Sequence, residues 1–479
     1  MSLIIPIICG SKSDLIFAEE IKNNLINYTL IKNKKSNKIN AKYSNYSLIR
    51  PIIIIASAHK VPHFLMKQLD KFMEIENDKN NKNSVPLIIT IAGRSNALSG
   101  MVCGYVDIVV VSVPPLKTNL IPMDIFSSLR MPSGICPLLI LGSYNATIAV
   151  LKICKLKSIV RELQEDNKNK ILIDNLKYNY IFTSIDFNIK NENIDLNKYS
   201  LIRSGKVRDI YQSKECENIL LLEATDRISG FDRFLENVPY KGTILNNITT
   251  YWFNETKHII ENHMIRSFKN SMTVKKCKVI PIEFVIRAYM AKSKTQTSLY
   301  YNYSKGKRLY CGLEFEDNIK VDEELIEPIF TPTTKGQKDE LIDEKYILEN
   351  NILTKEDLWF CKKKCFELFK FAENKLKKRG LLLIDTKLEF GIDIDNKIIL
   401  IDEVFTCDSS RFYLKHSYKN KIIEGLSKEN LRKWVGNNYK NPYDLSIKIK
   451  IPKEKIIQLS KDYLLCNEII TGKPLEISF

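Results

Sequence analysis

The first 115 residues alternate short apolar runs with mixed segments. The runs at 4–9, 51–56, 86–92 and 108–113 are β-branched and nearly continuous, the pattern of strands buried on both faces of a parallel sheet. Between them, 13–25, 62–75 and 97–103 read as helices. Residues 1–163 are therefore expected to form an α/β domain on a doubly wound parallel sheet. Residues 131–151 carry no charge and are long enough to raise the question of a membrane span. Pro132, Gly134, Pro137 and Gly142 interrupt them, so they read as a loop, a buried strand and a helix.

From 164 to 199 the chain turns polar and asparagine-rich, and this range reads as the connection to a second domain, 200–479. Apolar runs there come as strand pairs, at 219–224, 279–287, 381–390 and 397–404, with helices later. Residues 382–389 and 398–402 read as a hairpin, which makes the second domain α+β with antiparallel sheet. The Asn/Lys-rich stretches 32–47 and 77–83 read as surface insertions.

Composition changes this picture little. At 479 residues, 44% hydrophobic and 27% charged, the chain is globular and larger than one core usually grows. The formal charge of +17 comes from 73 basic against 56 acidic residues. The excess is scattered, as in Asn33-Lys34-Lys35, so it reads as solvated surface and not as a nucleic-acid or membrane partner's footprint. Eleven dispersed cysteines make a poor disulfide framework and point to buried thiols in a reducing, cytoplasmic setting. Cys361 and Cys365, in a lysine-rich helical stretch, lack the further ligands a structural zinc needs. The first six residues have no basic start and read as a strand rather than a signal peptide.

Three polar motifs follow predicted strands. Gly10-Ser11-Lys12-Ser13-Asp14 opens a helix, where backbone amides and hydroxyls cradle an anion, or where Ser and Asp merely cap. Ser57-Ala58-His59-Lys60 ends the second strand and Ala92-Gly93-Arg94-Ser95-Asn96 the third. Ligands of open parallel sheets bind outside the carboxyl ends of the strands, so the three motifs converge on one crevice. His59 with His63 as a metal pair is disfavoured by Pro62 and the lack of a carboxylate.

In this order the motifs, with Pro114-Pro115 and the stretch from Ser127-Ser128-Leu129-Arg130 to Ser133-Gly134, resemble the aminoimidazole ribonucleotide (AIR) carboxylase family over residues 3–160. The Ser-Ala-His-Lys and Ala-Gly-Arg-Ser-Asn forms resemble its branch that uses carbon dioxide directly, not the mutase branch. The resemblance implies that Ser11, Ser13, Asp14 and Arg94 hold the ribonucleotide, while His59, Lys60 and Ser95 surround the ring carbon that accepts CO2. An imidazole suits the departing ring proton. It also implies a homo-oligomer, an octamer.

The second domain opens with Ser204-Gly205-Lys206-Val207-Arg208-Asp209, a turn with lysine placed for phosphates, then Ala224-Thr225-Asp226-Arg227-Ile228-Ser229. Glu283 and Arg287 share a strand face, as do Asp385, Lys387 and Glu389. Carboxylates gathered across a hairpin ending in Asp402-Glu403 bind metal or pair with cations.

Together with Phe330-Thr331-Pro332-Thr333-Thr334-Lys335 and Asp408-Ser409-Ser410-Arg411-Phe412, these motifs resemble the succinocarboxamide (SAICAR) synthetase family over residues 200–475. The resemblance implies an ATP-grasp-related fold and ATP-driven joining of L-aspartate to the carboxylated ribonucleotide (CAIR). Lys206, Arg208 and Lys335 would contact ATP, Glu389 and Asp402 would hold Mg2+, and Lys387 would balance the transferring charge. Arg287, Ser293, Asp408 and Arg411 would grip CAIR. Lys292 replaces a usual Gly, Cys407 a common Pro, and the segment after Lys335 lacks a histidine many relatives have. The alternatives are a ligase joined to a mutase or silent first domain, and an RNA-binding protein on an enzyme scaffold.

Overall fold

The structure, a computed structural model, describes residues 2–34, 43–78, 83–92, 97–115, 129, 131–179, 195–336 and 339–475. Contacts divide it into two compact units, with the change at Glu165 and Asp166.

In the first unit, β1 (Ser2–Cys9), β2 (Ile49–Ile55), β3 (Leu87–Ile91), β4 (Val109–Ser112) and β5 (Leu138–Leu139) make a parallel sheet ordered β2-β1-β3-β4-β5. The strands read as continuous apolar runs because both faces are covered. Ile5, Ile7 and Cys9 pack with α1 (Leu15–Tyr28) and α4 (Ser143–Ile153) on one side. Ile4 and Ile8 pack with α2 (Pro62–Asn77) and α3 (Ala97–Tyr105) on the other. This is the expected doubly wound arrangement. β5 departs from expectation. It is two residues long, and Leu138 is 46% exposed, because it ends the sheet with a neighbour on one side only. The insertion expected at 32–47 carries paired strands, Leu30–Lys34 and Tyr43–Ser47.

The range 164–199, expected as a polar connection, is helical as far as Asn179, within α5 (Lys157–Asn179). Composition misled there because only a narrow stripe of this helix is covered: Ile173 and Leu176 pack inward, while most of the polar residues around them, and Ile171 and Leu172 too, are exposed.

Among its described residues the second unit has two large antiparallel sheets and two small two-stranded ones. The first runs β9 (Met264–Ser267), β10 (Ser271–Lys275), β8 (Ile219–Ala224), β7 (Arg208–Ser213), β6 (Tyr199–Ser204). The second centres on β13 (Leu381–Ile392), flanked by β11 (Ile282–Tyr289), β14 (Ile398–Ile401) and β15 (Ser410–Leu414), with β12 (Glu324–Phe330) beyond β11. One core joins both sheets to α6 (Lys241–Thr256), α7 (Lys355–Lys378) and α9 (Lys453–Thr471). Thr354 caps α7 by accepting from the Asp357 amide at 3.0 Å. Leu358, Cys361, Cys365, Leu368, Phe369, Ala372 and Leu376 form its buried stripe, so the two cysteines are core thiols, and burial pushes Cys361 up to about 12. Among the described residues no helix is long and apolar enough to cross a membrane.

Candidate active sites

In the first unit Cys9 pairs with both Ile55 and Ile91, so the loops after β1, β2 and β3 leave the sheet at one edge. The Gly10 amide donates to Ile91 O at 2.8 Å, and a side chain there would meet Ala92 Cβ at 3.3 Å. Asp14 is buried, and its carboxylate accepts from the Ser11 amide (2.9 Å) and hydroxyl (2.8 Å). The Ser11 and Ser13 hydroxyls lie 2.7 Å apart and are exposed. Capping thus occupies Asp14 and leaves the two serines accessible. His59 and Lys60 are exposed in the turn before α2, where the Lys60 amide donates to Ser57 Oγ at 3.3 Å. Arg94 and Ser95 lie outside the described residues, as do Ser127, Ser128 and Arg130. Among the described residues, the fully buried hydroxyls of Thr90, Ser99 and Ser112 form a chain (2.8 and 3.0 Å) tying the ends of β3 and β4 to α3.

The second site is written on one face of β13. Asp385, Lys387 and Glu389 alternate with core residues and project the same way. Ladder register sets Arg287 opposite Asp385 and Val285 opposite Lys387 on β11, and Arg411 opposite Asp385 on β15. Lys387 Nζ donates to Glu389 Oε1 (2.7 Å) and Glu283 Oε1 (3.0 Å), while Lys335 pairs with the other Glu389 oxygen. Burial opposes the Lys387 charge, but Glu389 and Glu283 outweigh it and raise its pKa well above the ordinary. Glu389 faces Ile401 across the hairpin, so Asp402 follows at its end. Asp402 takes a left-handed backbone, φ +64°, which Asp tolerates better than most side chains. Arg208 pairs with it and lies 3.4 Å from Glu403. Burial alone would raise Asp402; Arg208, then Lys387 and Lys335, bring it well below the usual carboxylate range.

Among the described residues no three His, Cys, Asp or Glu side chains stand as a ready cation cage. Glu389 and Asp402 offer two hard oxygen donors, which suits a magnesium ion that keeps waters and takes its remaining ligands from phosphate.

Asp385 holds two arginines. It accepts from Arg411 Nε at 2.9 Å and Arg287 Nη1 at 3.2 Å, and Arg287 Nε donates to Thr331 Oγ1 at 2.9 Å. Burial would raise this carboxyl; Arg411 and Arg287 lower it on balance. Ser293 lies buried near Thr295, its hydroxyl 3.3 Å from Thr295 Oγ1. Asp408, expected to grip substrate, borders the cleft, and the fully buried Lys241 (3.0 Å) and the Tyr463 hydroxyl (2.6 Å) hold its carboxylate. Lys206 is exposed, 3.3 Å from Asp232, and Gly205 has no room for a side chain, since a Cβ would lie 2.8 Å from Arg208 O.

Lys206, Glu283, Ser293, Lys387 and Asp408 border an open cleft of about 1390 Å3, lined also by Lys292, Lys428, Arg432 and Tyr443, while Arg287, Asp385 and Arg411 line a smaller cavity of about 190 Å3. Lys428 and Arg432 escaped sequence reading because, at the start of α8 (Glu429–Asn438), they look like the charges of any solvated helix. Packing half-buries Lys428. Burial brings its amine down to about 8, against the pull of Asp408 and Glu403.

A doubly wound α/β domain with anion-ready loops, followed by an α+β domain whose cleft joins a carboxylate pair to cations, defines a fused enzyme with a ligase site. The chain belongs to the SAICAR synthetase family, whose model matches residues 201–447, just over half of it; the AIR carboxylase model matches residues 4–171. The chloroplastic phosphoribosylaminoimidazole-succinocarboxamide synthase of Arabidopsis thaliana is 41% identical over 280 residues, 57% of this chain and 67% of that protein. The enzyme of Legionella pneumophila (strain Paris) is 40% identical over 276 residues, 56% of this chain and 87% of its own length. The solved SAICAR synthase of Saccharomyces cerevisiae complexed with SAICAR is 30% identical, with a TM-score of 0.51 over 60% of this chain and 99% of that one. The protein is thus an enzyme with a SAICAR synthetase domain behind an AIR carboxylase-family domain.

Proposed function

We propose that the first domain carboxylates AIR with carbon dioxide and that the second ligates L-aspartate to the resulting CAIR, with cleavage of ATP to ADP and phosphate. In the first step the ring carbon attacks CO2, a carbon–carbon bond forms, and the ring proton departs to His59, with Lys60 and Ser95 assigned to the same step. Ser11, Ser13, Asp14 and Arg94 hold the ribonucleotide, and Asp14 also stiffens the loop that carries the two serines. The exposed placement of His59 and the two serines at one sheet edge supports this assignment.

The observation that carries the second step is the face of β13. At about 3.3 Å per residue, Asp385 and Glu389 lie roughly 13 Å apart. The two arginines fixed by Asp385 grip CAIR together with Ser293 and Asp408, and its carboxylate reaches Lys387. Lys206, Arg208 and Lys335 bind the phosphates of ATP, Arg208 and Lys335 exchanging Asp402 and Glu389 for them. Glu389 and Asp402 hold magnesium, which supplies charge neutralisation for phosphoryl transfer. The CAIR carboxylate takes the γ-phosphoryl group, the aspartate amine forms the new C–N bond, phosphate leaves, and the amine sheds a proton.

By likeness to the carboxylase family we assign a homo-oligomer, an octamer, in the cytoplasm; apolar residues left open on the first unit, such as Ile16 at 85% and Phe64 at 49% exposure, fit an assembly. The test is product formation from AIR, bicarbonate, aspartate and Mg-ATP. His59→Ala is expected to lose SAICAR formation from AIR and regain it with supplied CAIR, and Lys387→Ala to be rescued by neither. Wild type active only on CAIR would remove the carboxylase assignment, and a requirement for a second ATP with bicarbonate would favour the mutase reading.

A further inference from the structure

Residues 166–179 of α5 precede the stretch that matches the SAICAR synthetase family, yet they belong to the second compact unit. Their contacts recur at helical spacing on one face. Asp166 pairs with Lys415 at 2.6 Å, both nearly buried, and also with Lys419. Asn169, 8% exposed, donates to Lys378 O at 2.8 Å. Ile173, 6% exposed, enters the main core, and Lys177 pairs with Glu424 at 2.7 Å.

The places touched matter more than their number. Lys378 ends α7, and Gly380, at φ +84°, turns the chain into β13. A methyl group on Gly380 would lie 2.9 Å from Ile173 Cδ1 and 3.2 Å from Asn169 Cβ. Lys415 follows β15 directly, and its amide donates to Gly380 O at 2.9 Å. The helix therefore clamps the point where the strand bearing Asp385, Lys387 and Glu389 begins and the strand bearing Arg411 ends.

We propose that α5 residues 166–177 are a positioning element of the ligase, bracing the junction of β13 and β15 so that Asp385 holds Arg287 and Arg411 in register for the ribonucleotide. The segment touches no substrate and acts through those strands. Losing Asp166 leaves Lys415 as a buried charge without this partner. The kinetic arm of the test rests on the ligase reading; the exchange arm does not.

The full chain carrying Asp166→Ala or Ile173→Asn is assayed for ligation of supplied CAIR, for carboxylation of AIR, and for amide hydrogen exchange. The expected result is a KM for CAIR raised about tenfold, with kcat changed far less. Exchange should quicken at 381–389 and 410–415, carboxylation should be unchanged, and Asp166→Glu should restore the KM. Lys177→Glu, at a half-exposed pair, guards against simple unfolding and should be rescued by adding Glu424→Lys. Unchanged KM and unchanged exchange in all these variants overturn the proposal. A wild type inactive on CAIR would sink the ligase reading, while exchange at those strands would still decide the brace.

Discussion

Lys387 stands between Glu283 and Glu389 with its amine within 3.0 Å of both. Replacing it with methionine removes the cation that Glu283 and Glu389 share, leaving Glu389 to Lys335 and Glu283 to the Thr333 hydroxyl, so Lys387→Met is expected to lower ligation of CAIR by about 100-fold or more while AIR carboxylation stays intact. Steady-state assays of the two half-reactions check this. Asp385 differs, since its own partners are the two arginines. Asp385→Asn keeps the shape and removes the charge, and should raise the KM for CAIR by about tenfold with a smaller change in kcat. Equal losses in kcat and kcat/KM would instead place Asp385 in the chemical step. Lys428 gives a pH test. Its amine falls from 10.5 unfolded to about 8 folded, so folding releases a proton between those values and stability rises with pH across that window. Below about 8 the burial penalty is fully present. Lys428→Met should therefore melt higher than wild type near pH 7, with the gap closing toward pH 10; a pH-independent gap in thermal melts would count against this account.

At the scale of elements, short contacts decide where the cleft's walls stand. Gly242 in the first turn of α6 lies so close to β8 that a Cβ would sit 2.1 Å from Ala224 O. Its amide donates to Asp226 at 2.9 Å, and its neighbour Lys241 anchors Asp408. Gly242→Ala must push the helix from the sheet, at a cost of roughly 1–3 kcal/mol, and should loosen the Asp408 loop as well. Denaturant unfolding and ligase kinetics on the same variant check both. The elements themselves were largely legible. Ile219–Ala224 stands where its apolar run predicts, and the β13–β14 hairpin follows from two apolar runs around a Gly/Asp/Asn turn. The end of α5 was not legible, because a helix docked by one narrow stripe is mostly polar and resembles a connection.

For the molecule as a whole, the order of motifs was enough to define two enzymatic domains and their family. Ser-Ala-His-Lys and Asp-Thr-Lys-Leu-Glu-Phe-Gly are local strings whose chemistry depends on residue type and strand periodicity, both written in the sequence. The sequence by itself therefore determined the doubly wound sheet, the α+β second domain and the alignment of Asp385, Lys387 and Glu389 on one face. Tertiary structure alone decided which charges meet: that Asp408 is held by Lys241 and Tyr463, that Arg208 reaches Asp402 across 194 positions, that Lys428 enters the cleft, and that α5 from Asp166 onward belongs to the second unit. The physical reason is that periodicity fixes the face a side chain leaves from, whereas its partner depends on how sheets and helices far apart in the chain are packed.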